Sequence, residues 1–311
     1  MGAPHQADET SGILYAGGTY VLWGFVPLYW ALLTAVPPVE ITLHRILWGA
    51  LFAVGMTAAR GRLTQVASIL RTRETLVALA ISSLLIASNW TLYIWCVSTH
   101  QLVEASLGYY LTPLVSMALG ILMLGERVSR LRIAAIGLAA VAVAAQTVEL
   151  GRFSFIAPGI ALSFGFYGYM RKRTHVDSLD GLTVETLLLC PVSLAVLGYL
   201  ALQGKGAFVP HQPLRDALLI GAGPITAIPL VMFAAGARRI RMTTLGFLQY
   251  LAPSITLIVA TTMLGETFTR VDAITFGCVW GALMLVGLEG QATRLRVRRR
   301  ASITSSGVDA T

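Results

Sequence analysis

Polar and ionisable side chains are sparse within the apolar stretches of this chain, and those present fall at two depths. In the first half, Glu40, His44 and Arg45 lie on one apolar run, Asn89 and Tyr93 on the next, and Glu104 and Tyr109 on the one after. At about 1.5 Å of helix rise per residue, Arg45 lies roughly 9 Å in from the end of its run, and Glu104 a few ångström in from the same face. A charge in an apolar medium is costly unless it meets a partner or a wet cavity. His44, Arg45, Asn89, Tyr93, Glu104 and Tyr109 are therefore expected to converge on a polar chamber that binds a small solute, with Arg45 attracting an anionic group. Tyr167, Glu185, Gln249 and Tyr250 are expected to form the corresponding layer in the second half. Two alternatives stay open: Arg45 and Glu104 as a structural ion pair locking two helices, and His44 as a proton relay or a satisfied core histidine.

The elements that hold these residues must span a bilayer. Of 311 residues, 56% are hydrophobic and 12% charged, against roughly 25% charged in soluble domains, and the mean hydropathy is +0.72. About 20 apolar residues cross a hydrocarbon core as a helix. Apolar runs fall at about 12–34, 39–58, 75–98, 102–124, 131–148, 155–170, 182–202, 215–236, 243–264 and 271–289. Ten spans put both termini on one side. Eighteen of the 23 Lys and Arg then lie in loops and a tail on that side, including Arg60, Arg62, Arg71, Arg73, Arg171, Lys172 and Arg173. The positive-inside rule makes that side cytoplasmic. Spread over every inner loop, these arginines do not form a nucleic-acid site; the Arg-rich tail, 290–311, reads as a contact for anionic lipid.

The chain also repeats itself. Tyr110-Leu111-Thr112-Pro113 precedes Met123-Leu124-Gly125-Glu126, and Tyr250-Leu251-Ala252-Pro253 precedes Met263-Leu264-Gly265-Glu266, at an offset of 140. Trp23-Gly24-Phe25 matches Phe164-Gly165-Phe166 at an offset of 141. Five is odd, so a second copy of five spans enters the membrane from the opposite face. The expected fold is an all-α polytopic membrane protein of ten transmembrane helices in two inverted five-helix repeats, 12–148 and 155–289, behind an N-terminal tail, 1–11. Inverted repeats around a central site are a recurrent build of secondary transporters.

Other chemistries find little support. The chain contains no G-x-x-x-x-G-K-[ST], G-x-S-x-G or H-E-x-x-H motif, so no ATP motor, nucleophile elbow or zinc helix is expected, and no cofactor. The six aspartates are placed outside the spans. Cys96, Cys190 and Cys278 lack ligand spacing and read as buried thiols, and MGAPHQADET lacks the features of a cleavable signal. Glu126 and Glu266 are read as helix-terminal caps. Pro27, Pro113, Pro191, Pro224, Pro229 and Pro253 are expected to kink their helices. Gly277 and Gly281 form a G-x-x-x-G, which leaves a homodimer open.

The stretch Leu22-Trp23-Gly24, Pro27-Leu28-Tyr29-Trp30, Val36-Pro37, Glu40-Ile41, His44-Arg45 and Trp48 resembles the opening of the RarD subgroup of the EamA-type drug/metabolite transporter superfamily. The likeness continues through Asn89-Trp90, Tyr93-Ile94-Trp95, Glu104 to Tyr109, Gly125-Glu126-Arg127, Tyr167-Gly168, Arg171-Lys172, Glu185-Thr186 and Gln249-Tyr250, covering about residues 12–290. The chain departs from the usual pattern at Gly49 and Ser254 and in a longer basic tail. The resemblance implies two EamA repeats, cytoplasmic termini, an inner-membrane location and efflux of small molecules. It leads to a secondary carrier for a small polar or drug-like metabolite; a channel-like facilitator remains the alternative, distinguished by flux that does not saturate.

Overall fold

A computed structural model describes residues 3–124, 129–149, 154–174, 176–208, 212–237, 239, 248–282 and 284. Glu126 and the basic tail lie outside the described residues. The described elements are helical: α1 Ala3–Ala31, α2 Pro38–Ala59, α3 Leu63–Arg71, α4 Arg73–Ser98, α5 Leu102–Leu124, α6 Arg130–Glu149, α7 Ile156–Thr174, α8 Ser178–Leu202, α9 Pro213–Ala237 and α10 Leu251–Thr262, followed by a helical stretch over 270–282. Among them α2, α4, α5, α8 and α9 are each long and apolar enough to cross a membrane.

Most helices start and stop where local chemistry requires. Pro38 opens α2 at a position where its missing N–H costs nothing. Asp177 caps α8 by accepting from the Leu179 amide at 3.1 Å. The second span of each repeat ends before a glycine with positive φ, Gly61 at 65° and Gly204 at 66°, the left-handed turn that closes a helix C-terminus.

The structure differs from the sequence reading in three places. α1 begins at Ala3, so most of the expected tail is helical and continuous with the first span. α7 runs one turn beyond the expected 155–170, which puts Arg171 inside a helix. The expected loop between the second and third spans contains α3, whose Leu63, Val66, Ile69 and Leu70 follow a helical period. Val66 packs with Leu79 and Val184.

The chain divides into two compact units, Met1–Thr112 with Phe155–Thr267, and Pro113–Ser154 with Phe268–Thr311. Each unit draws on both repeats. In the first unit α4 packs along α7, α2 lies between α8 and α9, and α1 packs on α9 and α10. One seam joins Ala16, Tyr20 and Trp23 to Phe233, Leu248 and Ala252. In the second unit, Gly281 faces Leu138 of α6 at 3.9 Å, and Phe276 packs edge-on against Trp280.

Sequence-equivalent residues meet in the first unit. Tyr110 and Tyr250 stack with centroids 6.1 Å apart and planes at 13°, the Tyr110 and Ser254 hydroxyls are bonded, and Ser106 donates to the Pro253 carbonyl at 2.7 Å. A pair of identical positions in direct contact is what a two-fold relation between copies produces at its axis. Glu266 accepts from the Leu102 and Val103 amides at 2.8 Å each, so a carboxylate from the end of one repeat caps the fourth span of the other. Glu266→Ala is expected to lower stability by about 1 kcal/mol, read as a lower midpoint in thermal unfolding in detergent; an unchanged midpoint would show that the cap contributes nothing.

Candidate functional site

Arg45 sits half-buried in α2 of the first unit. Its Nε donates to Thr226 Oγ1 at 2.8 Å. Its guanidinium lies over Trp90 at 4.0 Å and Trp30 at 5.3 Å. Tyr93 and Tyr109 stand within electrostatic range of it. The two rings fix the plane of the fork. Among the described residues, no carboxylate lies within ion-pair distance of Arg45. The Arg45–Glu104 ion pair, which the sequence leaves open, is not among the ion pairs of the described residues. Glu104 lies in the first turn of α5, where it and Glu266 both act electrostatically on Cys96.

Beside the guanidinium, the aromatic and amide groups interlock. Tyr93 and Tyr109 meet edge-on with centroids 5.5 Å apart. Tyr109 donates to Asn89 Oδ1 at 3.0 Å. Asn89 Nδ2 donates to Ser163 Oγ at 2.9 Å and to the Ile160 carbonyl at 3.1 Å, which settles which end of the amide faces which helix. Asn89 thus ties α4, α5 and α7 with both ends of a fully buried side chain. Asn89→Leu would strand the Tyr109 hydroxyl and is expected to cost about 1–3 kcal/mol, measured by the same unfolding assay; a cost near zero would contradict this network.

The chain of contacts continues toward the second layer. Tyr109 meets Phe164 at 6.0 Å, and Phe164 meets Tyr167 at 5.8 Å. The Tyr167 hydroxyl reaches Glu185 Oε2 at 3.5 Å. Ser82 donates to Glu185 Oε1 at 2.5 Å, and Arg171 Nη1 lies 3.7 Å from the same oxygen. Gln249 and Tyr250 fall elsewhere: they adjoin each other beside Tyr110 at the repeat contact. The second layer around Glu185 is thus Tyr167, Ser82 and Arg171.

His44 turns away from the Arg45 cluster. Buried at 4% exposure, its ring faces Phe208 at 5.6 Å, and neither ring nitrogen has a hydrogen-bond partner among the described residues. A residue next to Arg45 on a helix points about 100° around the axis. Glu40, one turn earlier, accepts from the Ala207 amide. Its counterpart at the 140-residue offset is Asp180, which takes Arg62 at 2.6 Å. In each repeat, then, an acid opening the second span holds the connection that follows the second span of the other repeat. Asp180 lies in the first turn of α8 and Asp216 in that of α9, correcting their placement outside the spans.

An apolar cleft of about 550 Å³ lies apart from these polar groups, lined by α2, α4 and α8 through Val39, Ile46, Leu84, Trp95, Leu189 and Val192. The Thr91 hydroxyl donates to Thr42 at 3.1 Å across its α2–α4 wall. Sequence reasoning missed Trp30, Trp90, Thr226, Ser82, Ser163 and Arg171. A helical step of four residues from Tyr167 points to Arg171; nothing local marks Thr226, which reaches Arg45 from 181 residues away.

The chain as a whole matches known proteins. The EamA-like transporter family model matches residues 10–147 and 154–288. The chain is 36% identical over 295 residues to Protein RarD of Escherichia coli strain K12, covering 94% of this chain and 100% of that protein. It is 40% identical over 292 residues to the uncharacterized transporter YojE of Bacillus subtilis strain 168, covering 90% and 94%. Protein RarD of Streptomyces exfoliatus is 37% identical over 307 residues, covering 98% and 97%. One solved crystal structure shares the fold with a TM-score of 0.56 at 20% identity, over 89% of this chain and 96% of that one. Each family match contains one copy of the Tyr-Leu-x-Pro repeat, and the chain belongs to the EamA-like transporter family: it is a multi-pass membrane transporter for a small molecule, not an enzyme.

Proposed function

We propose that this transporter is a secondary carrier that exports a small polar or drug-like metabolite bearing an anionic group, by alternating access between its two repeats, 12–148 and 155–289. The observation that supports this reading most is Arg45: a cation at membrane depth, braced by Thr226, Trp30 and Trp90, with no carboxylate of the described residues to neutralise it. Such a group favours an incoming anion, because the attraction is strong where water is scarce. Tyr93, Tyr109 and Asn89 complete the outer half of the chamber; Tyr167 and Glu185 form its inner half. His44, Glu104, Gln249 and Tyr250 support the walls and the repeat contact.

In this reading both termini are cytoplasmic in the inner membrane, since eighteen of the 23 Lys and Arg fall on one side. The basic tail rests on anionic lipid.

Purified protein in liposomes loaded with an isotope-labelled cell extract tests the mechanism without knowledge of the substrate. Release of one or a few labelled acids should saturate with their concentration and accelerate when unlabelled extract is added outside. Release that rises linearly with concentration and shows no counterflow would identify a channel-like facilitator instead.

A further inference from the structure

Glu185 lies at the 140-residue offset from Arg45, so the two repeats carry opposite charges at equivalent positions. The carboxylate is buried at 1% exposure, yet its compensation is incomplete. Ser82 occupies Oε1 at 2.5 Å. Arg171 Nη1 stands 3.7 Å from that oxygen, beyond hydrogen-bond distance, and has no hydrogen-bond partner among the described residues. The other amino group of Arg171 is held by the Asp177 carbonyl at 3.1 Å and the Val176 carbonyl at 3.4 Å. Among the described residues, Oε2 has only the Tyr167 hydroxyl at 3.5 Å.

Room for Arg171 is built into the backbone: a Cβ on Gly181 would lie 1.5 Å from its Nη1. Among the described residues, the charged and titratable groups around Glu185 are few. α7 supplies Arg171 and Tyr167, and α8 supplies Asp180, which engages Arg62 from the α2–α3 connection. α4 contributes the Ser82 hydroxyl, α2 the Thr57 hydroxyl on Thr183 at 3.0 Å, and α3 the apolar Val66.

We propose that Glu185 is a proton-binding site of the transport cycle, with Arg171 as its positioning residue. In this step a proton from water on one side bonds to Oε2, making a neutral carboxyl whose O–H can donate to the Tyr167 oxygen. Arg171 keeps its backbone carbonyl partners, so its own charge stays solvated by dipoles. On the other side the O–H bond breaks, the proton returns to water, and the carboxylate regains Ser82 and Arg171. The contacts from Tyr167 through Phe164 to Tyr109 and Asn89 link this site to Arg45, which lets proton binding and anion binding influence one another. The inference rests on the chain being a carrier with Arg45 at its substrate layer.

The test needs no substrate. Infrared difference spectra between acidic and alkaline pH, recorded on the full chain in liposomes, should contain a carboxylic acid C=O band that Glu185→Gln removes and Glu104→Gln retains. Arg171→Gln should displace the titration midpoint of that band. Tyr167→Phe keeps the carboxyl and should move the band's frequency, and it serves if the Glu185 variant does not fold. A band that is absent in the wild type, or the same in Glu185→Gln or Tyr167→Phe, overturns the proposal. A band that behaves as expected in a protein showing no counterflow would instead sink the carrier reading and leave the proton site standing.

Discussion

Arg45→Ala is expected to abolish transport while leaving a folded, membrane-inserted protein. The variant removes the one strong attraction for an anion that the described residues supply in the outer layer. It leaves Asn89, Tyr109 and Ser163 bonded to each other, so the local helix contacts persist. Because no carboxylate of the described residues pairs with Arg45, its removal strands no opposite charge, and the usual penalty of several kcal/mol for breaking a buried ion pair does not apply. Thr226 still donates to the Ala222 carbonyl at 2.8 Å. Arg45→Lys separates charge from geometry. An ammonium keeps the charge but lacks the planar fork held between Trp30 and Trp90, so lysine should recover only a small part of the flux, roughly a tenth or less for a loss of about 1.4 kcal/mol or more. Full activity in Arg45→Lys would show that charge alone matters; full activity in Arg45→Ala would remove Arg45 from the site.

Gly223→Ala is expected to destabilise the first unit by about 1–3 kcal/mol. A Cβ at this position of α9 would lie 2.6 Å from the Trp48 carbonyl oxygen and 3.0 Å from the Trp48 Cβ on α2. These are backbone-anchored atoms that cannot turn aside, so the α2–α9 contact must open. Thr226 lies on the same helix one turn on, so transport should fall as well. Gly49→Ala provides the control: nothing lies within 4 Å of a Cβ there, and alanine is the better helix former by about 1 kcal/mol. Thermal unfolding of both variants in detergent checks the pair, and equal midpoints would contradict the close approach at Gly223.

Where sequence and structure agree, the cause is periodicity and charge that act locally. Span limits such as 39–58 for α2 and 102–124 for α5 follow from where apolar residues give way to arginine, glycine or proline. The Tyr110 and Tyr250 motifs announced a repeat, and these tyrosines touch. Asn89, Tyr93 and Tyr109 were legible as one layer because the helix rise places them at one depth. Depth, however, does not fix direction. His44 and Arg45 share a depth, yet one faces Phe208 and the other Trp90. Arg171 was hidden among loop arginines because helix ends blur by a turn, and only the absence of a Cβ at Gly181 shows how its side chain reaches inward. Glu104 shares a depth with Arg45, and its charge leaves it open as a partner; it belongs to the first turn of α5, where a carboxylate is favoured by the helix dipole.

Export through the Arg45 layer is tested most directly by comparing metabolites in the medium and cytoplasm of cells that express the wild-type chain or Arg45→Ala at equal membrane abundance. The wild type should enrich one or a few acidic compounds outside and deplete them inside, and Arg45→Ala should erase that difference. Identical metabolite profiles for the two chains would contradict a carrier whose substrate site is built on Arg45.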